Sequence, residues 1–236
     1  RITDSRARAR SYPPLKLAPS LDYHLARARI VARYAGINSE ASLDWFSRQL
    51  KKAPKEVIPS LEYGQALVYL DSKKFDKAET ILTKLITSDP TNLFYLDAIS
   101  DLHIEQEKPE LAIKELKPAL VRQPNNPVLT INYANALIEK EDFAESVRVL
   151  QRYTHDNPND ANGWYLLSKA NTSLGNSDED LAARAEILAL QANWNKAIQY
   201  YTQASQIAEL GSLKQARYDA RIDQLMIQRE RFLALQ

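Results

Sequence analysis

Few side chains in this chain could do chemistry, and they are scattered. His24, His103 and His155 are its three imidazoles, and it has no cysteine. A catalytic zinc takes about three converging protein ligands, commonly with two on one helical turn, and no His-Glu-x-x-His supplies that pair. Neither a Gly-x-Ser-x-Gly elbow nor a glycine-rich phosphate loop occurs. The chain by itself is therefore expected to hold no metal or cofactor and to catalyse nothing. What remains is recognition. Asp97, Asp101 and Glu105 recur every fourth residue and so line one side of a helix. Like charges at that spacing cost about 0.2–0.5 kcal/mol per pair. A solvated face tolerates this, and a basic or polar partner segment would recover it.

Composition narrows the class of partner. The net charge is +1, from 31 basic and 30 acidic residues, which argues against nucleic acid, because polyanion binding needs clustered, uncompensated Lys and Arg. No stretch approaches the roughly 18 apolar residues that would span a bilayer. Without cysteine the redox compartment stays open. Five glycines, 44% apolar residues and little apolar alternation favour an all-helical protein. The opening Arg1-Ile2-Thr3-Asp4 lacks an initiator Met and reads as a piece of a longer precursor.

The elements that must carry these residues follow from a period. Pro90, Pro124 and Pro158 fall 34 residues apart, and the same residue types precede each. Ala66, Tyr69, Ala78, Leu82 and Leu85 become Ser100, His103, Ala112, Leu116 and Ala119, then Ala134, Leu137, Ser146, Leu150 and Tyr153. That period, with small residues about twelve apart, specifies tetratricopeptide repeats, two antiparallel helices each, whose small side chains allow close approach. His103, in the place of Tyr69, reads as a packing residue. The fold class is all-α: a right-handed α-solenoid of helix-turn-helix repeats with a long C-terminal capping helix.

Residues 1–19 read as the tail of an upstream catalytic domain plus a proline-stiffened linker. An atypical helical hairpin follows at 20–58, with Ser20 capping its first helix and Ser39 or Ser42 its second. The array occupies 59–210, in units of about 59–92, 93–126, 127–160, 161–191 and 178–210. The last two overlap because the fourth unit's small position falls on Asp180, whereas Leu181, Ala185, Leu188, Ala197, Tyr201 and Ala204 fit a restart 17 residues on. One helix should thus serve two neighbours. Residues 211–236 form the capping helix, with an apolar stripe of Leu213, Ala216, Tyr218, Ala220, Ile222, Leu225 and Ile227.

The first helices of a solenoid line its inner face, which is the expected partner-binding surface. The repeat positions place Tyr63, Leu67 and Leu70 there, then Phe94, Asp97, Asp101 and Glu105, then Ile131, Asn135 and Ile138, then Tyr165 and Lys169. Asn132 and Asn135 also resemble the amides of carboxylate-clamp repeats, with Ile131 where the clamp has Lys.

Leu181-Ala-Ala-Arg-Ala-Glu186 and Gly211-Ser-Leu-Lys-Gln-Ala-Arg-Tyr-Asp-Ala-Arg-Ile-Asp-Gln-Leu225 closely resemble the C-terminal part of the beta-barrel assembly-enhancing protease family. Arg1-Ile-Thr-Asp-Ser-Arg-Ala-Arg-Ala resembles the end of that family's catalytic domain. The resemblance implies the repeat region of a periplasmic zinc metalloprotease, with an M48-type catalytic half and its zinc outside this sequence. It further implies a part in outer-membrane protein assembly and quality control. The implied partners are the barrel-assembly machinery, client barrel proteins and the chain's own protease domain. The alternative is a free-standing repeat scaffold or co-chaperone.

Overall fold

The computed structural model describes residues 19–234. The upstream tail and most of the linker expected at 1–19 lie outside the described residues. Among the described residues there are twelve α-helices: α1 Leu21–Arg33, α2 Ser39–Leu50, α3 Ile58–Asp71, α4 Phe75–Ser88, α5 Leu93–Glu105 and α6 Pro109–Arg122, followed by α7 Pro127–Glu139, α8 Phe143–Asp156, α9 Ala161–Leu174, α10 Ser177–Leu190, α11 Trp194–Ile207 and α12 Leu213–Leu233. No strand occurs among them.

Local chemistry starts these helices where the sequence puts it. Asn92, Asn126 and Asp160 each turn a side-chain oxygen onto a backbone N–H of the helix that follows, at 3.1, 3.2 and 2.9 Å. Ser20 caps α1 in the same way at 3.2 Å. Asn38, not either serine, caps α2, accepting from the Ala41 N–H at 2.8 Å. Ser42, offered by sequence as an alternative, is buried.

The turn inside each hairpin repeats too. Lys73, Glu107 and Glu141 all have positive φ, at 56, 59 and 64°. Gly175 continues that spacing with φ 74°, and Ala192 reproduces the conformation half a period later at 57°. The hairpin turn thus recurs half a period on, inside the unit that the sequence pattern begins at 178. Helix α10 accordingly packs on α9 on one side and α11 on the other.

The chain divides into two compact units, the first ending at Ile81 and the second beginning at Leu82. In the first, α3 is flanked by α1 and α2, which scarcely touch one another. Its contact with α2 is close because Gly64 lacks a Cβ: one placed there would stand 2.2 Å from Cε1 of the fully buried Phe46 ring. Arg33 of α1 pairs with Asp71 of α3 at 3.1 Å.

In the second unit the helices stack in sequence order, and α5 also packs on α7, and α7 on α9. The periodic small residues Ala112, Ala134 and Ser146 are fully buried between them, as are Leu116 and Leu150. Ser146 substitutes for alanine without penalty because its hydroxyl donates to the Ala134 carbonyl at 3.0 Å. A second core joins Ala185, Ala197, Tyr201 and Ala204 to Tyr218 and Leu225 of α12.

Two expectations are refined here. Asp180, whose charge breaks the repeat register, lies half-buried at the α9–α10 contact, where it accepts a hydrogen bond from the Ser168 hydroxyl and pairs with Arg184 at 2.8 Å. Its carboxylate is partnered, which is what lets it occupy a place made for alanine. The apolar stripe of α12 is narrower than the sequence suggests. Only Tyr218 and Leu225 are buried, whereas Leu213 is 91% exposed.

Candidate functional site

Helices α5, α7 and α9 lie side by side in the second unit and present most of the positions read from sequence as the partner-binding face. Phe94, Asp97 and Asp101 on α5 are half-buried and Glu105 is exposed. Ile131 and Asn135 on α7 are half-buried, whereas Lys169 on α9 is exposed and Tyr165 is 62% exposed. Cross-helix bonds tie this surface together. Asn132 Nδ2 donates to Asp97 Oδ1 at 2.7 Å, and Lys169 Nζ to Glu139 at 2.7 Å. Asp97 therefore helps join α5 to α7, and the acidic stripe is not three independent charges. With Asn132 engaged in this way, the clamp-like asparagine pair is half occupied by the protein itself.

Four predicted face residues are not on a face. Tyr63, Leu67 and Leu70 are buried in α3, and Ile138 is buried in α7. The reason for the first three is α1, which packs along α3 and, with α2, encloses it. A position that would line an open inner surface becomes core once another helix lies on it. Ile138 belongs to the core cluster with Leu150, Leu166 and Ala170.

The histidines do not converge. His24 stacks edge-on against Tyr23 at 5.4 Å in α1, His103 is buried in α5, and His155 is exposed on α8. Among the described residues no three His, Asp or Glu side chains gather as metal ligands would. No described helix is long and apolar enough to cross a membrane.

Sequence reasoning missed a polar network that fixes α12 to α10. Lys214 pairs with Asp178 at 3.0 Å, Arg217 with Glu179 at 2.8 Å, and Arg221 with Glu186 at 2.7 Å. Tyr218 donates to Asp178 at 3.2 Å, and Tyr201 of α11 to Glu186 at 2.6 Å. Burial, the charge of Glu186 and the hydrogen bond to it push the Tyr201 phenol far above its usual value, so it remains a donor. Burial also pushes the Asp178 carboxyl up, but the hydrogen bond and charge of Lys214, the Glu179 backbone N–H and the Tyr218 hydroxyl outweigh it and hold it below the usual range. The available signal was a set of basic residues at 214, 217 and 221 on one side of α12 and a separate set of acidic ones at 178, 179 and 186 in α10. Only the fold brings the two sets together.

Tetratricopeptide repeat patterns match residues 63–92 and 103–170. A Vibrio cholerae protein carrying the name beta-barrel assembly-enhancing protease is 70% identical over 236 residues, covering 100% of this chain and 49% of that protein. The beta-barrel assembly-enhancing protease of Yersinia pestis is 40% identical over 232 residues, covering 98% of this chain and 48% of that protein. The chain thus spans about half the length of the curated relatives it matches. A tetratricopeptide repeat protein from Parabacteroides merdae shares the fold at a TM-score of 0.54 and 13% identity, over 94% of this chain and 89% of that one.

Proposed function

The chain belongs to the beta-barrel assembly-enhancing protease family, as its tetratricopeptide part, and from that premise we propose that it is the protein-binding half of an envelope protease. The reading assigns catalysis, and the zinc of an M48-type metalloprotease, to the remaining half of the relatives' length. This chain takes the contacts: barrel-assembly machinery, client outer-membrane proteins and the protease domain itself, in the periplasm. The observation that carries it is the run of first helices α5, α7 and α9. Their adjoining sides offer carboxylates, an amide, a phenol and aliphatic groups, the chemistry of peptide recognition spread over several repeats.

In-cell photocrosslinking tests it. A photoreactive side chain at Glu105 or Tyr165 should crosslink to assembly components or client barrel proteins identified by mass spectrometry. The same group at buried Leu137 should give none. Silence at both exposed positions, with the protein folded and expressed, would sink the reading.

A further inference from the structure

We propose that a second surface of the second unit, a groove of about 800 Å³ walled by α8 and α12 and floored by α9 and α10, receives an extended acidic segment of a protein partner. The inference deepens the protein-binding reading and uses none of the α5–α7–α9 face except helix α9, whose opposite positions it takes. Arg148, Arg152 and His155 come from α8, and Arg217 and Arg221 from α12. Between them the floor is apolar, with Trp164 and Leu167 of α9 and Ala182 and Ala183 of α10. Trp164 is fixed there because its indole N–H donates to the Pro158 carbonyl at 2.8 Å.

The sign of the groove is decided by depth. Two carboxylates, Glu179 and Glu186, also line it, but their side chains are only 13% and 11% exposed and each is covered by an α12 guanidinium. At the rim Arg152 is exposed, Arg217 is 58% exposed, and Arg148, 77% exposed, is paired with Glu145 one turn back on α8. An incoming chain meets Arg152 on one wall and Arg217 on the other, with the two floor carboxylates beneath them. Arginine's planar fork suits carboxylate oxygens, which it can bind through two parallel bonds. The apolar floor between the walls suits an aliphatic or aromatic side chain carried by the same segment. A basic segment would face like charge on both walls, and a neutral one would leave the rim unused.

The test uses the 236-residue chain and three fluorescent ten-residue peptides of alternating Leu with Glu, Gln or Lys, read by anisotropy. The Glu peptide should bind saturably and weaken as salt rises from about 0.05 to 0.5 M, because solvent-exposed charge contacts are screened. Arg148→Glu/Arg152→Glu should weaken it about tenfold or more, two rim attractions having become repulsions. Both residues are exposed on α8, so unchanged amide hydrogen exchange along α8 separates this loss from local unfolding. Gln215→Ala, outside the groove, should leave affinity unchanged. The proposal is overturned if the Lys peptide binds as well as the Glu peptide, if the double variant binds normally, or if no peptide binds. Those failures leave the broader reading standing whenever crosslinks at Glu105 or Tyr165 still form. Loss of both sets of contacts would remove it as well.

Discussion

Glu186 offers the sharpest check on the forces assigned to α12. Its carboxylate accepts from Arg221 Nε and Nη2 at 2.7 and 2.8 Å and from the Tyr201 hydroxyl at 2.6 Å. Glu186→Gln keeps the shape and deletes the charge, leaving a guanidinium without its counterion. Breaking a fully buried pair costs roughly 3–5 kcal/mol. Here Arg221 is 27% exposed and also donates to Gln224 at 3.0 Å, so water and the amide recover part of that. The expected loss is about 2 kcal/mol, or about a thirtyfold shift in a local opening equilibrium. Because the chain has two compact units, a single melting curve is a poor gauge of one helix. Amide hydrogen exchange along α12 in the 236-residue chain is the suitable assay, and its slowest amides should speed up by that factor. A triple variant, Glu186→Met with Arg221→Met and Tyr201→Phe, removes every member of the cluster and orphans none. It should cost no more than about 1 kcal/mol, since apolar groups of similar volume replace a buried pair at little cost. If the triple variant loosens α12 as much as Glu186→Gln does, the ion pair itself holds the helix, and the argument from unpartnered charge is wrong.

Gly64→Ala should destabilise the first unit by about 1–2 kcal/mol, because overpacking against Phe46 outweighs the roughly 1 kcal/mol that alanine gains over glycine inside a helix. Urea melts of the two chains give the sign, and a more stable Gly64→Ala would show that the Phe46 ring can yield. Attachment of α12 should also depend on pH at both extremes. The Asp178 carboxyl is held below its ordinary value, so its contribution is present above about pH 4 and fades as pH falls through the lower folded value. For Lys214, burial pulls the ammonium down, but its bond to Asp178 and the charge of Glu179 win and raise it. That contribution is complete below about pH 10 and is lost as pH climbs through the raised value. Proteolysis of α12 should accordingly be slowest between those limits, and a monotonic profile across them would contradict the assignment.

Much of the fold was legible because it is periodic. The 34-residue pattern records which side of each helix meets its neighbour, and Ala112, Ala134, Ser146, Leu116 and Leu150 are buried as the pattern requires. The half-period restart was readable too, since an aspartate at a small position and a fresh run of small residues 17 positions later are both local statements. The candidate face was less legible. Tyr165, Lys169 and Glu105 are accessible, but Tyr63, Leu67 and Leu70 are not, although they occupy the same repeat positions as α5 residues that remain partly open.

The sequence by itself determined that the chain forms helical hairpins and where the repeats turn, and it carries none of the catalytic motifs sought in it. Tertiary structure alone decided which repeat faces stay open. Helix α1 closes over α3, and side chains of α12 reach those of α10, so that arginines far apart in the chain confront one another across α9 and α10. The reason is the range of the forces: capping, propensity and period act within a turn or a repeat, whereas burial and charge pairing depend on whichever helix arrives from elsewhere.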